Sequence, residues 1–419
     1  FANNPRAHLA EFRYTRKGRL AEALAIGAGV PVQAPADPEG PLFASPETLG
    51  ALPLSQVSSL TSVDLDGSGQ QDVVVTGGLG QGNSVWMQSD GSWSDVAHPI
   101  STIEDVMAVA WADVDNQGAL NAYLCRDGLN QLIELESVDG QPLIEAHSAN
   151  DVLADSLGCR DVSFLDADHD GDLDVFVTNG DGPNELFSNN LNGTFRRLST
   201  EDEAIIEFGD EASHRHVMAD LDGDRDLDLL VVNAETPHRV FINDRLWRYQ
   251  SDARFDDLIN TPMVSLVAGD LDANGQIDLV SMSEEGQLTH WQPDSDGQWR
   301  GADWGRVPDF TSSQGAETGL GLMDFDGDGA LDLLAHHGAG FVVYRILPEG
   351  SGIDPLFEAQ ASILALAPVL VDPAQGPSLM AAVAREGQAP ELVWWPAGQG
   401  RHAFVALDPT GMNSQADGM

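Results

Sequence analysis

The sequence predicts an all-β protein built from repeated units of four short strands. An acidic loop recurs six times along the 419 residues, at spacings of about fifty residues. An apolar segment precedes each loop, and a largely β-branched stretch such as Val73–Val75 or Leu229–Val232 follows it directly. Two more segments then complete the unit, as in Glu185–Phe187 and Gly193–Phe195. Four strands per repeat at this period are typical of the blades of a β-propeller.

The six loops share one pattern of oxygen-bearing side chains. They begin at Asp64, Asp113, Asp166, Asp220, Asp270 and Asp324. Such side chains occupy positions 1, 3 and 5, and another closes the loop at position 9. Glycine at position 6 lets the backbone reverse and present the carbonyl of position 7, a ligand set that suits calcium. An EF-hand is excluded because position 12, where it needs glutamate, is Val75, Val177 or Val231.

Five of the loops are predicted to hold one calcium ion each, about five ions in total. Their predicted ligands are Asp64, Asp66, Ser68 and Asp72; Asp166, Asp168, Asp170 and Asp174; Asp220, Asp222, Asp224 and Asp228; Asp270, Asp272, Asn274 and Asp278; and Asp324, Asp326, Asp328 and Asp332. The sixth loop is predicted to bind weakly or not at all, because its ligands are Asp113, Asp115, Gln117 and Asn121. The alternative is acidic turns without metal, which the repulsion between close carboxylates disfavours.

The loop pattern resembles that of a known repeat family. Asp-x-Asp-x-Asp-Gly-x-x-Asp followed by an apolar strand, as in Asp166–Asp174 and Asp324–Asp332, is similar to the FG-GAP/VCBS repeat. That repeat occurs in integrin α-subunit propellers and in many secreted bacterial proteins, and the resemblance covers residues 55–405. It implies a β-propeller with calcium in the hairpin between the first and second strands of a blade. The literal Phe-Gly and Gly-Ala-Pro signatures of integrins are not evident, so the VCBS-like branch is closer.

The repeat count predicts eight blades in a single propeller that spans residues 1–419. A degenerate unit surrounds Asp372, and another is suggested by the match of Gly18–Gly27 to Gly171–Gly180, with Gly40–Phe43 as its fourth strand. On this interpretation residues 1–42 form a degenerate first blade, residues 43–405 the repeat blades and residues 406–419 a tail. The alternative is seven blades, with residues 1–42 as a basic arm and a closing strand.

The composition limits the partners and the compartment. The net charge of −47 makes nucleic acid an improbable partner, because phosphate backbones select for cations. No apolar run approaches the length of a membrane span. Loops of this type fill at millimolar calcium, which predicts an extracellular or periplasmic protein, and the acidic surface suits a high-salt environment. A basic N-terminal segment stands out, with Arg6, Arg13, Arg16, Lys17 and Arg19, and is either a solvated edge or a contact with an acidic partner or neighbouring subunit.

The chain has two cysteines, Cys125 and Cys159. Cys125 falls in the second strand of one predicted blade, and Cys159 just before the first strand of the next. Those two elements can touch, so a disulfide and two free thiols both stay open at this point.

A second candidate site lies on the predicted face opposite the loops, where the turns and the links between blades meet. Its candidate residues are Arg126, Arg160, His214, Arg215, His216, His336 and His337. The paired histidines suit a transition metal or acid–base chemistry, or are ordinary polar loop residues. No catalytic residue is assigned, because none of the common catalytic sequence motifs occurs.

These observations predict a secreted, calcium-stabilised propeller that binds or scaffolds an extracellular protein or glycan, rather than an enzyme. One alternative is a polysaccharide-active lyase or hydrolase that works on the face opposite the calcium loops. Clustering of the cationic candidates at one channel mouth would favour the enzyme, and scatter would favour the binding protein. Another alternative is a subunit of a larger extracellular assembly, connected through the basic N-terminal segment.

Overall fold

The computed structural model describes residues 38–402 and 404, except 139–140, 148–149, 155–157, 191, 199–207, 210, 245–247 and 312–316. Over these residues the chain forms seven antiparallel sheets of four strands each. The all-β fold and the four-stranded blades predicted from the sequence are therefore confirmed. Most of the basic N-terminal segment and the predicted C-terminal tail lie outside the described residues.

Six blades each take their strands from one continuous part of the chain, in the order first to fourth from the centre outwards. Blade 1 has β2 (Ser59–Val63), β3 (Asp72–Thr76), β4 (Asn83–Ser89) and β5 (Ser92–Val96). Blade 2 has β6 (Val106–Ala112), β7 (Leu120–Arg126), β8 (Gln131–Val138) and β9 (Gln141–Ala146). Blade 3 has β10 (Cys159–Leu165), β11 (Asp174–Asn179), β12 (Glu185–Asn189) and β13 (Phe195–Arg197).

The next three blades repeat this order. Blade 4 has β14 (Ser213–Ala219), β15 (Asp228–Asn233), β16 (Arg239–Asn243) and β17 (Tyr249–Gln250). Blade 5 has β18 (Ser265–Gly269), β19 (Asp278–Met282), β20 (Gln287–Pro293) and β21 (Trp299–Arg306). Blade 6 has β22 (Gly319–Met323), β23 (Asp332–His337), β24 (Gly340–Ile346) and β25 (Ile353–Gln360).

Blade 7 combines the two ends of the described chain. Its first three strands are β26 (Ile363–Val369), β27 (Ser378–Val383) and β28 (Glu391–Trp395), and its fourth is β1 (Glu47–Ala51). Short helices lie between some strands, namely α1 (Asn150–Leu153), α2 (Asp256–Ile259) and the 3-10 turns Pro99–Thr102, Ala253–Phe255 and Pro348–Gly350. None of the helices described is both long and apolar enough to cross a membrane.

The prediction of eight blades is wrong, and the described residues form the seven-bladed alternative. Gly40–Phe43, expected as the fourth strand of a first blade, instead brings Phe43 into a bridge with Ala397 and leads into β1. Ser62 Oγ of blade 1 donates to the Pro368 carbonyl of blade 7 at 3.1 Å. The first and last blades are direct neighbours, so no eighth blade fits between them. The stretch aligned with a first blade, Gly18–Gly27, lies outside the described residues.

The core is distributed between the blades. Seven hydrophobic clusters of described residues lie one at each contact between neighbouring blades. Leu165 of blade 3 packs in one cluster with Leu229 of blade 4. Met380 of blade 7 shares another with Val75 of blade 1, so the ring closes by the same packing that joins every other pair.

The second strands are buried because a neighbouring blade packs on each of their faces. Every residue of β3, β11, β15, β19, β23 and β27 is buried. This explains why their sequences are continuous apolar runs rather than alternating patterns. The outer strands β5 and β21 are mostly exposed.

The strand directions give the ring two different ends. First strands of neighbouring blades lie next to one another around a central channel. All first-to-second hairpins therefore lie at one end, which we call the loop rim because it carries the acidic loops. The first strands begin at the opposite end, which we call the channel mouth.

Candidate metal centres and the channel mouth

Each acidic loop is built around carboxylates that accept backbone N–H groups of the loop itself. In the loop at 64, Asp64 accepts the N–H of Ser68 at 3.0 Å and that of Gly69 at 2.7 Å. Asp66 accepts the N–H of Ser68 at 3.0 Å. The loop at 270 repeats the same bonds through Asp270 and Asp272. These bonds turn the position-1 and position-3 carboxylates toward the loop.

The backbone enters the left-handed region twice in each loop. Position 6 does so as expected, and Arg225 takes the glycine conformation there with a φ of 79°. Position 4 also has positive φ, with values of 62° at His169 and 58° at Ala273. The positive φ at position 4 was not predicted, although Gly67 and Gly223 at this position signal it in the sequence.

The position-9 aspartates connect each loop to its blade. They are at most 2% exposed, and they are Asp72, Asp174, Asp228, Asp278 and Asp332. Oδ2 of Asp174 accepts the N–H of Ala167 in the loop at 3.1 Å, and its Oδ1 accepts the N–H of Asn189 at the end of the third strand at 2.8 Å. Asp228 makes the corresponding bonds to Leu221 and Asn243. One carboxylate thus fixes the loop, the second strand and the third strand together.

Five groups of three carboxylates lie close enough to share one cation. In each group the oxygen atoms lie within 4.8 Å of one another, and the groups are Asp64, Asp66 and Asp72; Asp166, Asp168 and Asp170; Asp220, Asp222 and Asp228; Asp270, Asp272 and Asp278; and Asp324, Asp326 and Asp332. They coincide with the five loops predicted to bind calcium. The residues fit a hard cation, while the calcium ions and the exact ligand sets stay predictions.

The electrostatics of the acidic loops favour a bound cation. Burial, with the neighbouring carboxylates, raises the pKa of Asp332 to about 8 and that of Asp174 to about 7. Burial likewise raises the pKa of Asp72 to about 6. A divalent ion at the centre would stabilise the ionised carboxylates and reverse these shifts.

The loop at 113 keeps the shape of the others with less charge. Asp113 accepts the N–H groups of Gln117 and Gly118 at 3.0 and 2.8 Å. At position 9, Asn121 Oδ1 accepts the N–H of Val114 at 3.0 Å. Its Nδ2 is buried without a hydrogen-bond partner in the described part of the chain. The weak binding predicted for this loop stays a prediction.

Basic side chains already lie against two of the loops. Arg345 Nη2 lies 2.5 Å from Asp326 Oδ2 in the loop at 324. Arg254 Nη2 lies 3.6 Å from Asp222 Oδ2 in the loop at 220. These arginine side chains offset part of the negative charge at the loop rim.

Cys125 and Cys159 form a disulfide, which settles the alternative that the sequence left open. Their Cα atoms are 5.3 Å apart, and both side chains are fully buried. Cys125 lies in β7 and Cys159 begins β10, so the bond joins blade 2 to blade 3.

At the channel mouth, β-bulges interrupt the first strand of four blades. The pairing register shifts at Met107, Arg160, His214 and Leu364, which hold the same position in blades 2, 3, 4 and 7. A bulge changes the direction of a side chain relative to a regular strand. Arg160 is half-buried and His214 is exposed.

Arg215 connects three blades across the mouth. Its Nη1 donates to Ser265 Oγ of blade 5 and its Nη2 to the Thr318 carbonyl just before blade 6, both at 3.1 Å. Asp161 of blade 3 and Glu317 also lie near it. Burial raises the pKa of Glu317 to about 7, although the Arg215 charge opposes this and Asp161 adds to it. Asp161 and Glu317 were not predicted as site residues, because no motif in the sequence singles them out.

The buried histidines at the mouth are held by neighbouring groups. His216 Nδ1 lies 2.8 Å from Thr178 Oγ1, and the His216 backbone N–H donates to Asp161 Oδ2 at 3.1 Å. Burial lowers the pKa of His336 to about 3, helped by the charge of Arg215.

The remaining candidates do not join this group. Arg126 donates to the carbonyls of Glu104 and Leu129 near its own turn. His337 Nδ1 accepts the N–H of Thr311 at 3.3 Å, on the opposite face of β23 from His336. The two pairs of histidines therefore do not converge on one transition metal.

Comparison with known proteins identifies the repeat. A model of the FG-GAP-like repeat matches residues 64–123, 166–231, 220–281 and 270–335, which together are more than half of the chain. Cartilage acidic protein 1 of Mus musculus is 23% identical over 321 residues, which cover 67% of this chain and 48% of that protein. The Homo sapiens protein is 23% identical over 325 residues, covering 67% and 47%. The chain thus spans about half the length of these relatives.

Two further matches are more limited. Cartilage acidic protein 1 of Xenopus tropicalis is 28% identical over 185 residues, covering 39% of this chain and 26% of that protein. Among solved structures, BBS1N in complex with ARL6DN has a TM-score of 0.53 at 10% identity, covering 86% of this chain and 98% of that one. At this identity the likeness concerns the fold alone.

Proposed function

Because the chain belongs to the family of FG-GAP-like repeat proteins, we propose that it is an extracellular, calcium-stabilised β-propeller that binds or scaffolds a protein or glycan without catalysing a reaction. The position-9 aspartates carry this proposal. Asp174 and Asp228 join the metal loop to two strands of the blade through buried hydrogen bonds. A cation held there stabilises the folded ring.

Two properties of the chain support an extracellular location. The disulfide between Cys125 and Cys159 persists in oxidising compartments. Calcium loops of the weaker classes fill at the millimolar calcium found outside cells. The relatives are named for cartilage and for their acidity, and acidity is a property that this chain shares, with a net charge of −47.

A binding role fits the state of His216 and His336 better than catalysis does. His216 and His336 are both buried, and His216 Nδ1 already lies 2.8 Å from Thr178 Oγ1. General acid–base chemistry needs a group within hydrogen-bond reach of the substrate.

A polysaccharide-active enzyme is the second candidate, because Arg160, His214 and Arg215 do gather at one mouth. Incubation with uronic acid polymers tests it directly. New reducing ends or unsaturated products that vanish in Arg160→Gln would establish the enzyme in place of the binding protein.

Metal analysis tests the proposed function. Protein dialysed against millimolar calcium is expected to retain about five ions per chain, and fewer than three would reject the proposal. Each ion adds about 2.7 kcal/mol of stability at a hundredfold excess over its Kd. Chelation with EDTA is therefore expected to lower the melting temperature sharply, and an unchanged melting temperature would contradict a stabilising role.

A further inference from the structure

We propose that Arg160 and His214, with Arg215 beside them, form a binding site for a small carboxylate anion at the channel mouth. The inference rests on the proposed binding function and gives its ligand a chemical class. Arg160 and His214 are the bulged residues of adjacent blades 3 and 4. The bulged residues of blades 2 and 7 are apolar, so this polar pair occupies one side of the mouth.

The positive charge at this place lacks the carboxylate partners that several other arginines of the described residues have. Arg197 pairs with Glu185, and Arg385 with Glu391, at 2.7 and 2.6 Å. In the described residues Arg160 forms neither an ion pair nor a hydrogen bond through its side chain. An unpaired arginine is conspicuous on a chain with 67 acidic and 20 basic residues.

The guanidinium of Arg215 donates hydrogen bonds to neutral groups, namely Ser265 Oγ and the Thr318 carbonyl. These bonds hold its guanidinium in place beside the bulged pair. Partial desolvation at the mouth lowers the pKa of His214, although its side chain remains exposed to solvent. The charges of Arg215 and Arg160 lower this pKa further, and the charge of Glu284 opposes them. The local field at His214 therefore favours an anion.

Acidic groups near the site include Asp161, Glu317 and Glu284. Asp161 Oδ1 accepts the N–H of Val162 at 3.0 Å, and its Oδ2 accepts the N–H of His216 at 3.1 Å. Glu317 has its pKa raised to about 7 by burial, so at neutral pH it is only partly ionised. Together with Glu284 these groups limit the net positive charge, which suits a ligand with one negative charge better than a phosphate.

The side chains match a carboxylate in shape. The guanidinium of Arg160 presents parallel N–H donors to the two oxygens of a carboxylate. A neutral His214 imidazole adds one further N–H donor. Met107, the apolar bulged residue of adjacent blade 2, lies at the same level of the mouth and suits the carbon part of the ligand.

Titration with propionate, and with propionamide as the uncharged isostere, tests this site on the calcium-loaded protein. NMR of labelled histidine side chains follows His214, whose signal is assigned by its loss in His214→Gln. Propionate is expected to bind with a Kd of about 1 mM to 10 mM, more weakly at high salt, while propionamide leaves the His214 signal unchanged. Arg160→Gln is expected to weaken propionate binding at least about tenfold.

Arg306→Gln is the matched control, because Arg306 is an exposed arginine at the end of outer strand β21. Three results would each overturn the site. Propionate and propionamide could bind equally well, Arg160→Gln could bind propionate with full affinity, or Arg306→Gln could lose as much propionate affinity as Arg160→Gln. Calcium content and melting temperature are measured on every sample. If Arg160→Gln fails to fold, His214→Gln replaces it, and calorimetry measures its binding of propionate. Protein that holds its calcium but ignores propionate refutes this site alone, whereas protein without calcium refutes the proposed function.

Discussion

Asn121 Oδ1 accepts the backbone N–H of Val114 at 3.0 Å, just as Asp72 Oδ2 accepts the N–H of Leu65 at 3.0 Å in the neighbouring blade. The amide reproduces the hydrogen bond of the carboxylate without its charge. We therefore expect Asn121→Asp to complete the ligand set of the loop at 113 and to raise the calcium content by one ion per chain.

The reverse change in blade 1 is the matched control. Asp72→Asn keeps the acceptor for Leu65 and removes one carboxylate, so the calcium content is expected to fall by one ion. Mass spectrometry of the metal content after dialysis in millimolar calcium measures both. If both variants hold the same number of ions as the native protein, charge at position 9 does not control binding.

Arg225 carries local backbone strain that can be relieved. Its φ of 79° is the conformation that glycine adopts at the same position of the other loops. A residue with a Cβ atom loses about 1 to 2 kcal/mol in this region. Arg225→Gly is expected to raise the free energy of unfolding by about 1 kcal/mol, measured by denaturant titration in saturating calcium. Arg225→Ala keeps the strain and removes the charge, so an equal gain in that variant would assign the effect to charge instead.

The repeat predicted the loops and the buried second strands because both depend on residues close together in the chain. Asp166–Asp174 fixes a turn by its own hydrogen bonds, and the apolar run after it needs a neighbour on each face. Blade number depends instead on β1 pairing with β28, which are more than three hundred residues apart. No local pattern shows that closure, and the apparent repeat at Gly18–Gly27 suggested an eighth blade.

The channel mouth was predictable in its residue types but not in its contacts. Arg215 reaches Ser265 and Thr318 on other blades, and no spacing in the sequence relates them. His336 and His337 looked like a pair, yet neighbouring residues of a strand face opposite sides of the sheet. Each histidine accordingly has its own surroundings.

The disulfide between blades 2 and 3 is expected to stabilise the ring. It links cysteines separated by 34 residues, for which restriction of the unfolded chain contributes about 3 to 4 kcal/mol. Replacing both Cys125 and Cys159 by alanine should lower the free energy of unfolding by about that amount. Denaturant titration of the variant, and of the native protein with and without a reductant, measures the loss. Equal stability of the reduced and oxidised native protein would show that the bond contributes nothing.

His336 should make stability fall in acid. Its pKa is lowered from 6.5 to about 3 by burial, so between these pH values the unfolded chain binds a proton that the folded protein does not. The contribution of neutral His336 to the free energy of unfolding is complete above pH 6.5. It decreases by about 1.4 kcal/mol per pH unit as the pH falls toward 3. Because carboxylates also titrate there, the difference between native protein and His336→Gln is the quantity to measure. If the free energy of unfolding depends on pH in the same way in both proteins, His336 does not cause the loss of stability in acid.

Closure of the ring by β1 can be tested by shortening the chain from its start. Removal of residues 1–37 leaves every described strand in place, so the melting temperature and calcium content should stay close to those of the full chain. Removal of residues 1–51 takes away β1 and Phe43. Phe43 is 2% exposed, packs edge-on against Phe341, and lies under the guanidinium of Arg401.

The second truncation also uncovers the edge of β28, whose backbone groups can then pair with other chains. We expect aggregation in size-exclusion chromatography or a much lower melting temperature. Phe43→Ala isolates the packing from the lost strand and should cost about 3 to 5 kcal/mol. If the removal of residues 1–37 lowers the melting temperature as much as the removal of 1–51, stability depends on the N-terminal segment rather than on closure by β1.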